Sequence, residues 1–190
     1  MPKRKVITPP DGEPITLEAT KSYLRIGHDH EDDLVTQLIQ HARARLEAAG
    51  NLDLIAKTVQ TEWRSWPKRI DRAGVKLGTS PVTALNAVAI ARETGESLEV
   101  TDQFEVVQDR IRYIGDRGLP QLGRSDRVIV TLPVGYADSE ALPDDLKEAL
   151  LRLIGAHYSA RLTPAPDLRL EGGLPPNVQA ILDARQSVRL

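Results

Sequence analysis

The sequence predicts an α+β fold: a mainly helical core, with two N-terminal helices and one long and one short C-terminal helix, carrying an antiparallel β-hairpin or sheet insertion. Three observations point there. Apolar residues recur at helical spacing near both ends of the 190-residue chain, and short β-rich runs alternate with turn residues between about 55 and 135. Hydrophobic residues make up 41% but aromatics only 4%, so the core is to be built from Leu, Ile, Val and Ala. The whole reads as a single domain over 1–190: an extended arm (1–15), a helical segment (16–50), the β-rich insertion (55–135), a helix (142–162), and a C-terminal helix with its tail (174–190).

Taken in order, Thr16 is a good N-cap, and Leu17, Thr20 and Leu24 follow at one-face spacing to Ile26-Gly27. After His28-Asp29-His30 comes a second helix. Leu34, Val35, Leu38, Ile39, Ala42 and Leu46 form its apolar stripe, Glu31, Asp32 and Asp33 sit at its positive end, and Gly50-Asn51 stops it. The β-rich runs are Thr58–Trp66, Val75–Leu77, Leu85–Ala91, Leu98–Val100, Phe104–Val107, Ile111–Ile114 and Val128–Leu132. Turn residues such as Glu93-Thr94-Gly95 separate them, and the long crossovers that parallel strands need are missing, so antiparallel pairing is expected. Leu142-Pro143-Asp144-Asp145 opens a long helix with the stripe Leu146, Ala149, Leu150, Leu153, Ile154 and His157. Pro175-Pro176 opens a last short helix bearing Val178, Ile181 and Leu182.

Charge and chemistry exclude more than they suggest. The formal charge is −2, from 25 basic and 27 acidic residues, which gives no global field to attract nucleic acid. No cysteine is present, which removes disulfides, thiolate catalysis and cysteine-ligated metals. No apolar run approaches the ~18 residues that would span a bilayer, and Lys3-Arg4-Lys5 is followed by no hydrophobic leader segment. His28 and His30 beside three acids are the one cluster of metal-ligand types. Lacking any distant partner motif, it reads as an acidic helix start on a solvated loop. His157, on an apolar helical face, reads as a half-buried structural histidine, because no nucleophile motif accompanies it. Neither a cofactor nor a catalytic constellation is expected. Trp63, Arg64, Trp66, Lys68, Arg69 and Arg72 interleave aromatic and basic side chains, a pattern able to stack bases and neutralise phosphates. The competing reading is a strand whose rings cover the sheet while Arg64, Lys68, Arg69 and Arg72 stay solvated.

Two stretches, taken in order, resemble one family. The first is Ile7-Thr8-Pro9-Pro10 through Pro14-Ile15-Thr16-Leu17-Glu18-Ala19-Thr20-Lys21-Ser22-Tyr23-Leu24-Arg25-Ile26, then Asp32-Asp33-Leu34-Val35-Thr36-Gln37-Leu38-Ile39 and Ala42-Arg43-Ala44-Arg45-Leu46-Glu47. The second is Val130-Thr131-Leu132-Pro133-Val134-Gly135-Tyr136, then Leu142-Pro143-Asp144-Asp145-Leu146-Lys147-Glu148-Ala149-Leu150 and His157-Tyr158. Their order resembles the head–tail connector (adaptor) proteins of HK97-type phages and gene transfer agents. The resemblance implies a structural, non-enzymatic part that forms a ring with copies of itself, commonly dodecameric, beneath a portal protein. A further tail or stopper component lies on the other side, and DNA passes through the lumen without sequence-specific binding. It implies assembly in a bacterial cytoplasm, residence in the particle neck, and no membrane contact. A nucleic-acid-binding module using the Trp63–Arg72 strip is the alternative. The family offers no motif for the tail. Gln186 and Ser187 followed by apolar Val188 and Leu190 with Arg189 make an end that either frays in solvent or docks in a partner's groove, and the resemblance implies that this groove is the portal's.

Overall fold

The computed structural model describes residues 3–71, 73–160 and 173–187; Met1, Pro2, Arg72, residues 161–172 and Val188–Leu190 lie outside them, and for Gln186 and Ser187 only the helical backbone is described. The chain forms two compact units, Met1–Asp11 with Ala56–Tyr136 and Gly12–Ile55 with Ala137–Leu190. Among the described residues, four helices and antiparallel sheets make the α+β class plain.

The β unit contains β1 (Lys3–Thr8), β2 (Lys57–Trp63), β3 (Val75–Lys76), β4 (Ala87–Ala91), β5 (Ser97–Glu99), β6 (Phe104–Val107), β7 (Arg110–Tyr113) and β8 (Arg127–Val134). One sheet has the order β1-β2-β8-β4-β5 and the other β3-β7-β6. β8 lies at the centre because Val128, Val130, Leu132 and Val134 alternate inward along it and meet Trp63, Thr61 and Val59 of β2 and Ile90 and Val88 of β4. Burying such side chains contributes about 1.5–3 kcal/mol each. With Ile70, Phe104 and Ile111 they make a continuous core, so this segment is larger than a hairpin set on a helical core: it carries a hydrophobic interior of its own.

One sequence expectation changes here. Residues 3–8, read as part of an arm, form an edge strand paired to β2 from Lys3↔Glu62 to Thr8↔Thr58, with a bulge at Ile7. Every side chain of β1 is exposed, so backbone pairing rather than burial holds it in place. The β6–β7 turn is Gln108-Asp109, both in the left-handed region (φ 51° and 60°), which a glycine-based reading of turns does not reveal. The Asp109 carboxylate accepts the Val82 N–H at 2.8 Å and so ties this turn to the segment between β3 and β4.

The helical unit contains α1 (Leu17–Leu24), α2 (Asp32–Gly50), α3 (Asp144–Ala160) and α4 (Pro176–Ser187). Thr16 caps α1, its Oγ1 accepting the Ala19 N–H at 3.1 Å. The helix ends earlier than Gly27 because Arg25 takes the left-handed cap (φ 59°) and Ile26 N–H donates to the Lys21 carbonyl at 2.9 Å. Asn51 closes α2 in the same conformation. Replacing Thr16 with alanine is expected to cost about 1 kcal/mol, within the range of lost N-caps, and a matching drop in the midpoint of chemical denaturation followed by helical circular dichroism checks it.

Val35, Ile39, Ala42 and Leu46 of α2 and Leu146, Ala149, Leu150, Leu153 and Ile154 of α3 are buried, as the 3.6-residue spacing predicts. Val178 and Leu182 of α4 are buried as well. Arg185 Nη1 on α4 donates to both Asp145 oxygens at 2.6 Å, fixing the short helix to the start of α3. The short apolar stripe of α4 is therefore held by packing and by an ion pair.

Candidate functional site

The aromatic and basic strip divides into an inner and an outer set. Trp63 points into the β core with Val59 and Thr61, as the period of β2 requires. Trp66 stacks on Phe104, ring centroids 5.1 Å apart, and its indole N–H donates to the Pro120 carbonyl at 2.8 Å. Both rings are therefore spent on the fold, which leaves no stacking platform for bases and withdraws the support for the nucleic-acid module. Arg64, Lys68 and Arg69 are exposed, and Arg72 lies outside the described residues. Arg69 has φ 69°, and its carbonyl accepts the Ala73 and Gly74 N–H groups at 3.1 Å each. Gly74 (φ 66°) is required there, because a Cβ would come within 3.0 Å of the Ile111 carbonyl oxygen. Arg110 donates to the Ala73 and Gly74 carbonyls and holds the turn onto β7. The three described cations thus project from a well-supported loop.

His28 and His30 lie with ring centroids 5.6 Å apart. The nearby carboxylates face a lysine instead: Lys21 Nζ donates to Asp29 and Asp32, each at 2.6 Å. The hydrogen bond from Lys21 holds the Asp29 carboxyl below its ordinary range, and the bond to Asp29 followed by that to Asp32 raises Lys21. Among the described residues no three metal-ligating side chains come together.

His157 of α3 meets His41 of α2 edge to face, centroids 5.2 Å apart, and Tyr158 beside it donates to Glu31 at 2.7 Å. Its Nε2 is buried without a hydrogen-bond partner among the described residues. Burial, then the neighbouring His41 and Arg45, push its pKa down, so the folded chain resists a proton that the unfolded chain accepts. Stability should therefore be level above the ordinary histidine pKa of about 6.5 and fall as pH drops below it, until the lowered folded pKa is passed. Melting curves between pH 7.5 and 5 should show that slope in the native chain and a shallower one in His157→Gln; equal slopes would remove His157 as its source.

Among the described residues, two sheet edges are exposed. β1 and β5 are the outer strands of the five-stranded sheet and are exposed along their length. Val6, Ile7 and Leu98 on them are among the most exposed large aliphatic side chains, at 46%, 43% and 44%. The alternation read from the sequence did not single these residues out, since neither strand has a buried face to betray it. Among the described residues no helix is long and apolar enough to cross a membrane.

A family model described as phage gp6-like head-tail connector protein matches residues 14–114, from the first helix through β7. The chain belongs to this family of head–tail connectors. The connector fold is also found in three gene transfer agent structures. A chain from the neck of an empty particle, computed with C6 symmetry, is 24% identical, with a TM-score of 0.78 over 96% of this connector and 94% of that chain. A chain of the native virion is 22% identical, with a TM-score of 0.76 over 95% and 93%. A chain from the native neck, computed with C12 symmetry, is 22% identical, with a TM-score of 0.68 over 95% and 94%. At these identities the likeness speaks for the fold. No curated protein sequence matches.

Proposed function

We propose that this connector forms a closed ring in the neck of a phage-like particle and joins a DNA-filled head to its tail without catalysing a reaction. The observation that carries this reading is family membership over residues 14–114 together with the same fold, across nearly the whole chain, in particle necks treated with C6 and C12 symmetry. Those symmetries favour a ring of twelve. One face would meet a portal protein, with residues 186–190 as its anchor, and the other the next tail or stopper component. The near-balanced charge suits a lumen through which DNA slides without being gripped, since each phosphate neutralised by a basic side chain adds to binding. The exposed Arg64, Lys68 and Arg69 would add only local attraction. Assembly would take place in a bacterial cytoplasm before the ring is built into the particle. Electron microscopy of the particle neck should show many copies of this chain in one symmetric layer. A single copy there, or none, would sink the proposal.

A further inference from the structure

The five-stranded sheet ends in two open edges, and the pairing register fixes which way each edge side chain faces. On β1, Arg4 and Val6 lie opposite Thr61 and Val59 and share the core face, whereas Lys3 and Lys5, opposite Glu62 and Gln60, stand on the reverse. On β5, Leu98 lies opposite Ile90 on the core face, whereas Ser97 and Glu99, opposite Ala91 and Ala89, stand on the reverse. Each edge therefore carries one large aliphatic side chain on the core side, beside Arg4 at β1, and charge on the reverse. The charge is cationic at β1 and anionic at β5, where exposed Glu96 and Glu93 extend it into the adjoining turn.

We propose that these edges pair between neighbouring copies, β1 of one subunit against β5 of the next, so that the sheets of the ring join into a continuous band. This rests on the ring reading above and names its seam. Five strands with every neighbour antiparallel give β1 and β5 the same direction. Adjacent copies in a ring of many subunits differ by a small rotation, so their strands keep that direction and the seam is a parallel pair. The faces then also agree: Val6 of one copy comes to the side of Leu98 of the next, and Lys3 and Lys5 to the side of Glu99. Self-pairing is disfavoured, because β1 on β1 sets Lys3, Arg4 and Lys5 against their own copies and β5 on β5 does the same with Glu96 and Glu99. A ring requires a contact between two different patches, and these are different and complementary. Pairing also consumes ladder edges that would otherwise recruit strands indiscriminately. Two local bonds are compatible with it: Arg4 reaches Thr79 at 3.4 Å and Glu99 accepts from the Thr101 hydroxyl at 3.0 Å.

The absence of native cysteine makes the test clean. Full-length chain carrying Val6→Cys and Leu98→Cys together, purified and also in assembled particles, is treated with a short bismaleimide. A covalent ladder beyond dimer is expected from the double variant and monomer from either single variant. Dimers from a single variant at equal efficiency would show a two-fold edge contact and overturn the seam. A ring visible in the neck without any ladder would overturn the seam and leave the ring reading intact, whereas no multimer in solution or neck removes both. Independently of the cysteines, Lys3→Glu with Lys5→Glu should weaken self-association roughly tenfold. Adding Glu96→Lys and Glu99→Lys to that chain should restore it, and no restoration refutes the charge pairing.

Discussion

Deleting residues 186–190 is expected to leave thermal melting nearly unchanged and yet to yield filled heads without tails. The fold survives because the anchors of α4 lie before the cut: Val178 and Leu182 are buried, and Arg185 keeps its bond to Asp145. Loss of the last two helical residues shortens only a fraying end. What disappears is Val188, Arg189 and Leu190, which lie outside the described residues. Burying the two aliphatic side chains in a portal groove would contribute roughly 1.5–3 kcal/mol each before the cost of ordering them, repeated in every subunit of a ring. Counting tailed particles by electron microscopy checks this. If the truncated connector joins heads to tails at the normal yield, the tail is not the anchor.

Replacing Leu132 with alanine is expected to cost about 2–5 kcal/mol, the range for a large aliphatic side chain removed from a packed core. Leu132 is fully buried in β8, the strand that holds β2 and β4 together, so little can collapse into the gap. Against a typical total of about 5–15 kcal/mol, that is a large fraction. Trp63 and Trp66 both lie in the β unit, so denaturation followed by tryptophan fluorescence reports on the altered core directly. Leu98→Ala on the exposed edge serves as the contrast, with a change of about 0.5 kcal/mol or less. A Leu132 variant as stable as that control would mean that the β8 core is not packed as described.

Much of this structure was legible in local chemistry. The stripes of α2 and α3, the Thr16 cap, and the turn residues around β4 and β5 each state their own conformation within a few residues. The order of strands did not show, because β8 enters between β2 and β4 from far along the chain and nothing in Val128–Val134 names its neighbours. Lys-Arg-Lys-Val-Ile-Thr lacks the alternation that would mark β1 in the sequence, and a strand held by backbone bonds alone needs none. The inward turn of Trp63 follows from its period with Val59 and Thr61. Trp66 lies past the strand end, where the Pro120 carbonyl and Phe104, more than 35 residues away, decide its place. The edge surfaces became visible only with the register, since facing is a property of paired strands and not of either strand alone.

The helical unit is assembled from two separated pieces of chain, and that has a consequence during translation. Tyr158 and Glu31, which bond each other, are 127 residues apart, and α3 begins only after the whole β-rich segment has been made. At roughly 5–20 residues per second, the ribosome releases Val35, Ile39 and Leu46 on the order of ten seconds before Leu146, Leu150 and Leu153 emerge to cover them. In that interval β1 can pair with β2, β4 with β5 and β6 with β7, and the central β8 arrives only shortly before α3, while the apolar face of α2 waits in the open and is available to chaperones. A stalled or nicked product that ends before residue 144 should therefore aggregate through α2, whereas the completed chain has its partner helix in hand.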